Sequence, residues 1–215
     1  MKKKLSSMPG FVPTMISMLL WIGILVFFWE MGARKMDLTK RTPENILPHL
    51  KNIWEAIISN KKVAGGKTAL QVVLSSAGMT LLRALYGFLA GTAFGFLLAL
   101  VMKMSGIVEK LLFPYLMLIQ MIPILGMAPI ILSITGDINV SRVVIAGILT
   151  FYPVATNTLA GFNAVEKEKY ELMYTYAAGK ATIYRKVLIP YSIPYFFTGL
   201  KIAAPMAITA SILNG

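Results

Sequence analysis

Gly65-Gly66-Lys67-Thr68 ends as a phosphate-binding loop ends, and it is the first stretch of the chain whose residue types point to chemistry. Such a loop cradles phosphate with backbone N–H groups, which requires Gly, four residues, then Gly-Lys-Thr. The required first glycine falls on Lys61, no apolar strand precedes it, and no acidic residue stands at a strand end to hold magnesium. The run therefore reads as a flexible turn. His49 is the single histidine and has no second ligand at metal-binding spacing; cysteine is absent, which removes thiolate metal sites and disulfides. Asp and Glu together number nine, mostly in loops, and no nucleophile–base pair stands out. No catalytic residue, metal ligand or cofactor site is assigned to this chain.

The polar residues that remain of interest lie inside apolar runs. Gln120-Met121-Ile122-Pro123 combines an amide with a helix-breaking proline, and Asn157-Thr158 sits within another run. Irregular backbone is tolerated at membrane depth only where it is buried in protein or lines a cavity. Gln120 then either contacts a polar solute or bonds a neighbouring helix, and both readings stand. For Asn157 and Thr158 an interhelical bond is the first reading and a solute contact the second. Gln120, Met121, Pro123, Asn157 and Thr158 form the candidate translocation pathway. Arg83 reads first as an interfacial anchor that snorkels toward water, and second as a pathway residue.

The elements that must position these residues follow from composition. The 215 residues are 57% hydrophobic with mean hydropathy +0.70, and only 14% are charged, against about 25% in ordinary globular chains. The expectation is an all-α polytopic membrane protein with about five transmembrane helices. A net charge of +12 points in such a chain to anionic lipid headgroups rather than nucleic acid, since the basic residues flank apolar runs and no basic–aromatic motif appears.

Residues 1–14 are expected to be a cytoplasmic N-terminus and 15–32 the first span, retained rather than cleaved as a signal peptide, because no convincing cleavage site follows. Residues 33–71 form a polar loop. Within it Thr42-Pro43-Glu44 reads as a helix start, and Ile46, Leu47, Leu50, Ile53, Trp54, Ile57 and Ile58 recur at helical spacing. This amphipathic helix either lies on the bilayer or packs against the protein's own spans. Residues 72–215 form the core domain, with spans at 72–102, 111–135, 141–162 and 195–214. Gly87, Gly91 and Gly95 recur every four residues, a ridge that lets helices pack backbone to backbone without naming the partner helix. Asp137 reads as a cap and Pro153 as a kink.

Residues 166–190 interrupt the apolar second half. Glu166, Lys167, Glu168, Lys169 and Glu171 alternate in sign, and nothing breaks the helix before Gly179. Ala177, Ala178 and Ala181 leave little bulk, and Pro190 and Pro194 close the segment. A polar helix between two spans must sit in water, and a helix with so small a middle lets another protein come close to its backbone. It reads as a docking helix for a water-soluble partner.

The same segment resembles the coupling loop of ABC-importer permease subunits. Glu171-Leu172-Met173, three residues, Ala177, then Ile189-Pro190 is similar to that family's Glu-Ala-Ala, three residues, Gly, and later hydrophobic-Pro pattern. Phe151-Tyr152-Pro153, Asn157-Thr158, Leu188-Ile189-Pro190, Ile193-Pro194 and Gly199-Leu200-Lys201 resemble the branch that imports nitrate, taurine, sulfonates and thiamine or pyrimidine precursors. An Arg also occurs near position 83 in the family. The likeness covers roughly Pro43 to Leu213. It departs where Ala177 stands at the family's loop glycine, with Gly179 two positions later, and where Leu172 and Met173 replace two alanines.

The resemblance implies a type I importer-like permease fold of six spans, of which about five are expected here; either a sixth follows Gly215 or the chain departs from the family there. It implies a coupling site at Glu171, Leu172, Met173, Ala177, Ala178, Gly179 and Pro190, with Glu171 pairing to a basic residue or capping the helix. It also implies the partners: an ABC ATPase that carries ATP and Mg, a second permease copy as a homodimer, and an extracytoplasmic solute-binding protein, all at a prokaryotic-type plasma (inner) membrane. With the N-terminus inside, the coupling loop is cytoplasmic. The loop at 33–71 is then outside although it holds eight Lys/Arg residues, which runs against the positive-inside tendency. An ion-coupled secondary transporter or channel is the alternative; it is disfavoured because Asp and Glu are missing from the centres of the expected spans. A membrane enzyme lacks its clustered acids, His or Ser.

Overall fold

The computed structural model describes residues 11–39, 46–59, 62 and 64–212, and these are helical apart from turns and one isolated antiparallel bridge between Lys62 and Thr68. Two compact units divide the chain, residues 1–75 and 76–215.

The first unit is built on α1, Phe11–Thr39. Its apolar run is exposed on every side, with Trp21 and Phe27 each at 64%, the pattern of a helix whose solvent is hydrocarbon. At its end the chain folds back. Leu47 packs over Gly32, where a Cβ would lie 3.0 Å from Leu47 Cδ2. Trp29 Nε1 donates to the Pro48 carbonyl at 3.0 Å. His49 bridges two carboxylates, Nδ1 to Glu30 Oε1 at 2.6 Å and Nε2 to Asp37 Oδ2 at 2.7 Å. Glu30 and Asp37 are seven residues apart, so two helical turns bring them onto one face.

The amphipathic helix α2 spans Leu50–Ile58, later than its periodicity suggests. Pro48 supplies the reason. It lacks an N–H and disfavours helical backbone at Leu47, so residues 46–49 stay outside the helix and the His49 carbonyl accepts its first bond, from Ile53 N at 3.1 Å. Thr42-Pro43-Glu44 and Lys61 lie outside the described residues. No residue of α2 is buried; Trp54 and Ile58 are exposed on its apolar face and the Lys51–Glu55 pair lies along its polar side. The glycine run is a tight turn, with Gly65 and Gly66 at φ 76° and 72°. Thr68 N donates to Gln71 Oε1 and Gln71 N to Thr68 Oγ1, at 3.1 and 3.3 Å. This reciprocal capping box starts the next helix, and it accounts for the Gly-Gly-Lys-Thr sequence without a nucleotide.

The unit boundary falls inside α3, Ala69–Met104. In the second unit α3 runs parallel to α6, Ile138–Asn163. Gly87, Gly91 and Gly95 are the contact: a Cβ at Gly87 would lie 2.5 Å from Ala146 Cβ, and one at Gly95 2.7 Å from the Phe151 carbonyl. The glycine ridge is therefore filled within the chain. Between them run α4, Gly106–Met121, and α5, Ala128–Thr135, bent by 76° at the Ile122-Pro123 break. Gly136, in the left-handed region at φ 68°, ends α5, and Asp137 caps α6 by accepting from Asn139 N and Val140 N at 2.7 and 2.9 Å.

After α6 come α7, Lys167–Thr175, and a continuous helical stretch from Lys180 to Ile212. The latter consists of α8 (Lys180–Ile183), a π turn (Tyr184–Leu188) and α9 (Ile189–Ile212). This corrects two expectations. The docking helix ends at Thr175, not at Gly179, and Pro190 and Pro194 do not delay the last span to residue 195. Pro190 would clash with the carbonyl four residues earlier in a regular helix; the π turn, in which Ile189 N bonds the Tyr184 carbonyl, resets the register just before it. α9 returns antiparallel along α6. Gly161 faces Ser192 and Tyr195, and Gly199 faces the Pro153 carbonyl.

Among the described residues four helices are long and apolar enough to cross a membrane, and the bent α4–α5 pair makes a fifth if it counts as one span.

Candidate functional site

The polar interruption is anchored from beneath. Tyr170 and Met173 of α7, together with Ala178, pack on a buried cluster that includes Met102, Leu159, Phe162, Ile183 and Leu188. Helical spacing then turns Glu168, Glu171, Leu172, Thr175 and Tyr176 outward. Leu172 and Tyr176 are exposed at 56% and 76%, apolar surface beside the charged side chains of α7. Glu171 lies 3.5 Å from Lys167 one turn earlier, with both side chains exposed; such a pair contributes little to stability, so the carboxylate is available to another partner.

α7 closes with a Schellman motif. Ala178 N bonds the Met173 carbonyl at 3.0 Å and Ala177 N bonds the Tyr174 carbonyl at 2.9 Å. The residue at the turn must take a left-handed backbone, and Ala177 does so at φ 50°; among the described residues it is the only non-glycine with positive φ. Alanine thus holds the conformation normally given to glycine, at a cost of about 1–2 kcal/mol. Gly179, by contrast, is extended at φ −68° and ψ 158° and precedes α8. Pro190 lies in the first turn of α9, beyond the π turn.

A groove of about 520 Å³ opens beside α7, lined by Lys103, Met104, Tyr170, Tyr174, Lys180, Ala181, Ile183, Tyr184 and Leu188. Burial, then the neighbouring Tyr184 and Tyr174, push the Tyr170 hydroxyl above its ordinary value, and that hydroxyl has no hydrogen-bond partner. Next to it Lys103 Nζ donates to Asn163 Oδ1, and Asn163 Nδ2 donates to Glu109 Oε1, each at 2.7 Å. This chain ties the ends of α3, α6 and α4 together under the loop. Sequence reasoning missed it, because its members are 54 and 60 residues apart; the one local signal is a polar Asn163 directly before the loop.

A second cavity, of about 440 Å³, lies between α4, α6 and α9. Gln120, Tyr152, Thr156 and Asn157 supply its polar groups, and Ile119, Ile122, Ile124, Ile148, Leu149, Pro153, Ile202 and Met206 its walls. Gln120 and Asn157, 37 positions apart in the chain, are thereby brought together. Met121 points outward, 78% exposed, and Pro123 forms the bend; neither lines the cavity. Thr158 is fully buried, its hydroxyl unpartnered, and also lies away from it. Tyr152 and Thr156 join the lining without having been singled out: Pro153 and Asn157 carry the pattern, and their helical neighbours follow. Asn157 Nδ2 donates to the Pro153 carbonyl at 2.7 Å, within its own helix. Arg83 is half-buried in α3 and its Nε has no partner. No group of three His, Cys, Asp or Glu side chains among the described residues is arranged to hold a metal ion.

Comparison with known proteins gives this arrangement its context. Residues 91–214 match the family described as binding-protein-dependent transport system inner membrane component. The formylaminopyrimidine transport permease protein ThiX of Halalkalibacterium halodurans is 34% identical over 191 residues, covering 89% of this chain and 71% of that protein. A probable ABC transporter permease protein of Haemophilus influenzae is 24% identical over 91% of this chain and 75% of its own length. The nitrate import permease protein NrtB of Synechococcus elongatus is 29% identical over 73% of this chain and 56% of its own. Such proteins are permease subunits rather than enzymes, and the ion-coupled alternative gives way to them. With its all-helical, multi-span architecture and this match across more than half its length, the chain belongs to the binding-protein-dependent inner membrane component family and is a multi-pass permease component of an ABC importer.

Proposed function

We propose that this permease couples to a separate ABC ATPase through the segment from Glu166 to Pro190, and that solute passes the cavity containing Gln120 and Asn157. The observation that carries the proposal is the two-sided build of α7. Tyr170, Met173 and Ala178 hold it to the core, while Glu171, Leu172 and Tyr176 face outward. A helix so anchored moves as one body with the spans beneath it. A partner that grips its outer face, and whose own shape changes with ATP, shifts the balance between two arrangements of those spans. ATP and Mg belong to that partner. Leu172 and Tyr176 supply apolar area to the contact, Glu171 a charge, and the Ala177 to Gly179 turn a low-relief surface for close approach. The Lys103–Asn163–Glu109 chain stiffens the ground under the loop.

The complete importer comprises two copies of this permease, two ATPases and an extracytoplasmic solute-binding protein in a prokaryotic-type inner membrane. The relatives' names cover a formylaminopyrimidine and nitrate, so the solute class is a pyrimidine-type vitamin precursor or a small anion. Lipid is a further partner, contacted by the exposed apolar faces of α1 and α2.

Co-purification from native membranes tests the coupling assignment. Wild-type chain is expected to bring down an ATPase stoichiometrically, and Glu171→Lys combined with Ala177→Trp to lose it while the permease still folds, as judged by its elution and thermal unfolding. Retention of coupled ATPase by both single variants and by the pair would remove the assignment.

A further inference from the structure

We infer that the cavity between α4, α6 and α9 accepts an uncharged, flat, hydrogen-bonding heterocycle and rejects small anions such as nitrate and sulfonates. This rests on reading that cavity as part of the solute pathway. Its volume of about 440 Å³ lies in the range of small-molecule sites, which are mostly apolar with a few placed polar groups. None of its lining residues is Asp, Glu, Lys, Arg or His. An anion entering it would leave water for apolar walls and uncharged dipoles, with no cation to compensate.

The polar groups present suit a neutral ring. Gln120 is exposed and its side chain makes no hydrogen bond among the described residues, so its amide offers both a donor and an acceptor. Asn157 donates one of its two Nδ2 hydrogens to the Pro153 carbonyl at 2.7 Å, which leaves the second N–H and the Oδ1 acceptor without a hydrogen bond. The Tyr152 hydroxyl has only a 3.7 Å contact to Met117 Sδ, a weak acceptor, and can donate elsewhere. Residues with both donors and acceptors to spare thus line a space walled by Ile148, Leu149 and Met206. Aliphatic side chains and a polarizable thioether pack on the faces of a flat ring, while the amides and the hydroxyl meet its edge nitrogens and exocyclic amino group. Nitrate and sulfonates present acceptors only and carry a full charge.

The absence of native cysteine gives a clean test in the assembled importer. Thr156→Cys introduces a thiol in the lining, and Lys51→Cys provides an exposed control on the polar side of α2, away from the coupling segment. Open membranes are treated with a polar, uncharged thiol reagent, with and without formylaminopyrimidine, cytosine, nitrate or methanesulfonate in excess. The expected result is labelling at both sites and protection at position 156 by the pyrimidines only. Adding Gln120→Ala should raise the pyrimidine concentration needed by about tenfold, the effect of one lost hydrogen bond in such a site. Protection by nitrate or methanesulfonate at equal concentration, or by none of the four, overturns the inference while labelling still supports the pathway. No labelling at position 156, with the control labelled, removes the pathway reading and the inference together.

Discussion

Ala177 shows how a single residue can hold a turn that its type disfavours. The left-handed backbone at φ 50° costs an alanine about 1–2 kcal/mol, and the two Schellman bonds and the packing of Ala178 beside Met173 offset it. Ala177→Gly is expected to stabilise the permease by up to about 1 kcal/mol, the strain relieved less the extra chain entropy of glycine, with coupling unchanged; thermal unfolding in detergent measures it. His49 sets a different expectation. Hydrogen bonds to Asp37 and then Glu30 raise its pKa above the ordinary 6.5. The clamp on α1 therefore contributes fully below 6.5 and fades as pH rises through the raised value. Unfolding followed across pH should show His49→Gln less stable than wild type in acid, with the two converging in alkali. A constant difference would show that charge has no part in the clamp.

At the level of elements, the glycines of α3 decide how the spans pack. A Cβ at Gly91 would meet the Gly147 carbonyl and the Thr150 side chain, while nothing lies within 4 Å of Gly78 on the same helix. Gly91→Leu is expected to cost more than the roughly 1–3 kcal/mol of ordinary overpacking, because backbone must move. Gly78→Leu should be neutral; membrane yield and unfolding temperature separate them. The spacing of Gly87, Gly91 and Gly95 announces such packing, but only the structure identifies α6 as the partner, since the choice depends on how four segments return. The turn between α4 and α5 and the Asp137 cap were legible for a similar local reason: proline, glycine and aspartate act on their immediate neighbours. The break at Thr175 was not, because nothing in Tyr176-Ala177 forbids helix; packing of Tyr170, Met173 and Ala178 on distant residues decides it. Likewise Pro190 looked like a boundary, and the π turn that absorbs it has no sequence signature of its own.

In the molecule as a whole, the spans and the charged loop were readable because hydrocarbon admits few arrangements. The site was readable in part. Gln120 and Asn157 meet in one cavity, while Thr158 is buried elsewhere on the same helix, a separation of about 100° that one residue makes. The proposed coupling requires one surface, the outward face of α7, to meet an ATPase while the inward face does not. Single cysteines carrying a photoactivated crosslinker, placed at Leu172 and Tyr176, at Tyr170 and Met173, and at Ile58 in α2, test this in native membranes. Crosslinks to the ATPase from positions 172 and 176 alone are predicted. Crosslinks from none of the five, or equally from all, would contradict coupling through α7.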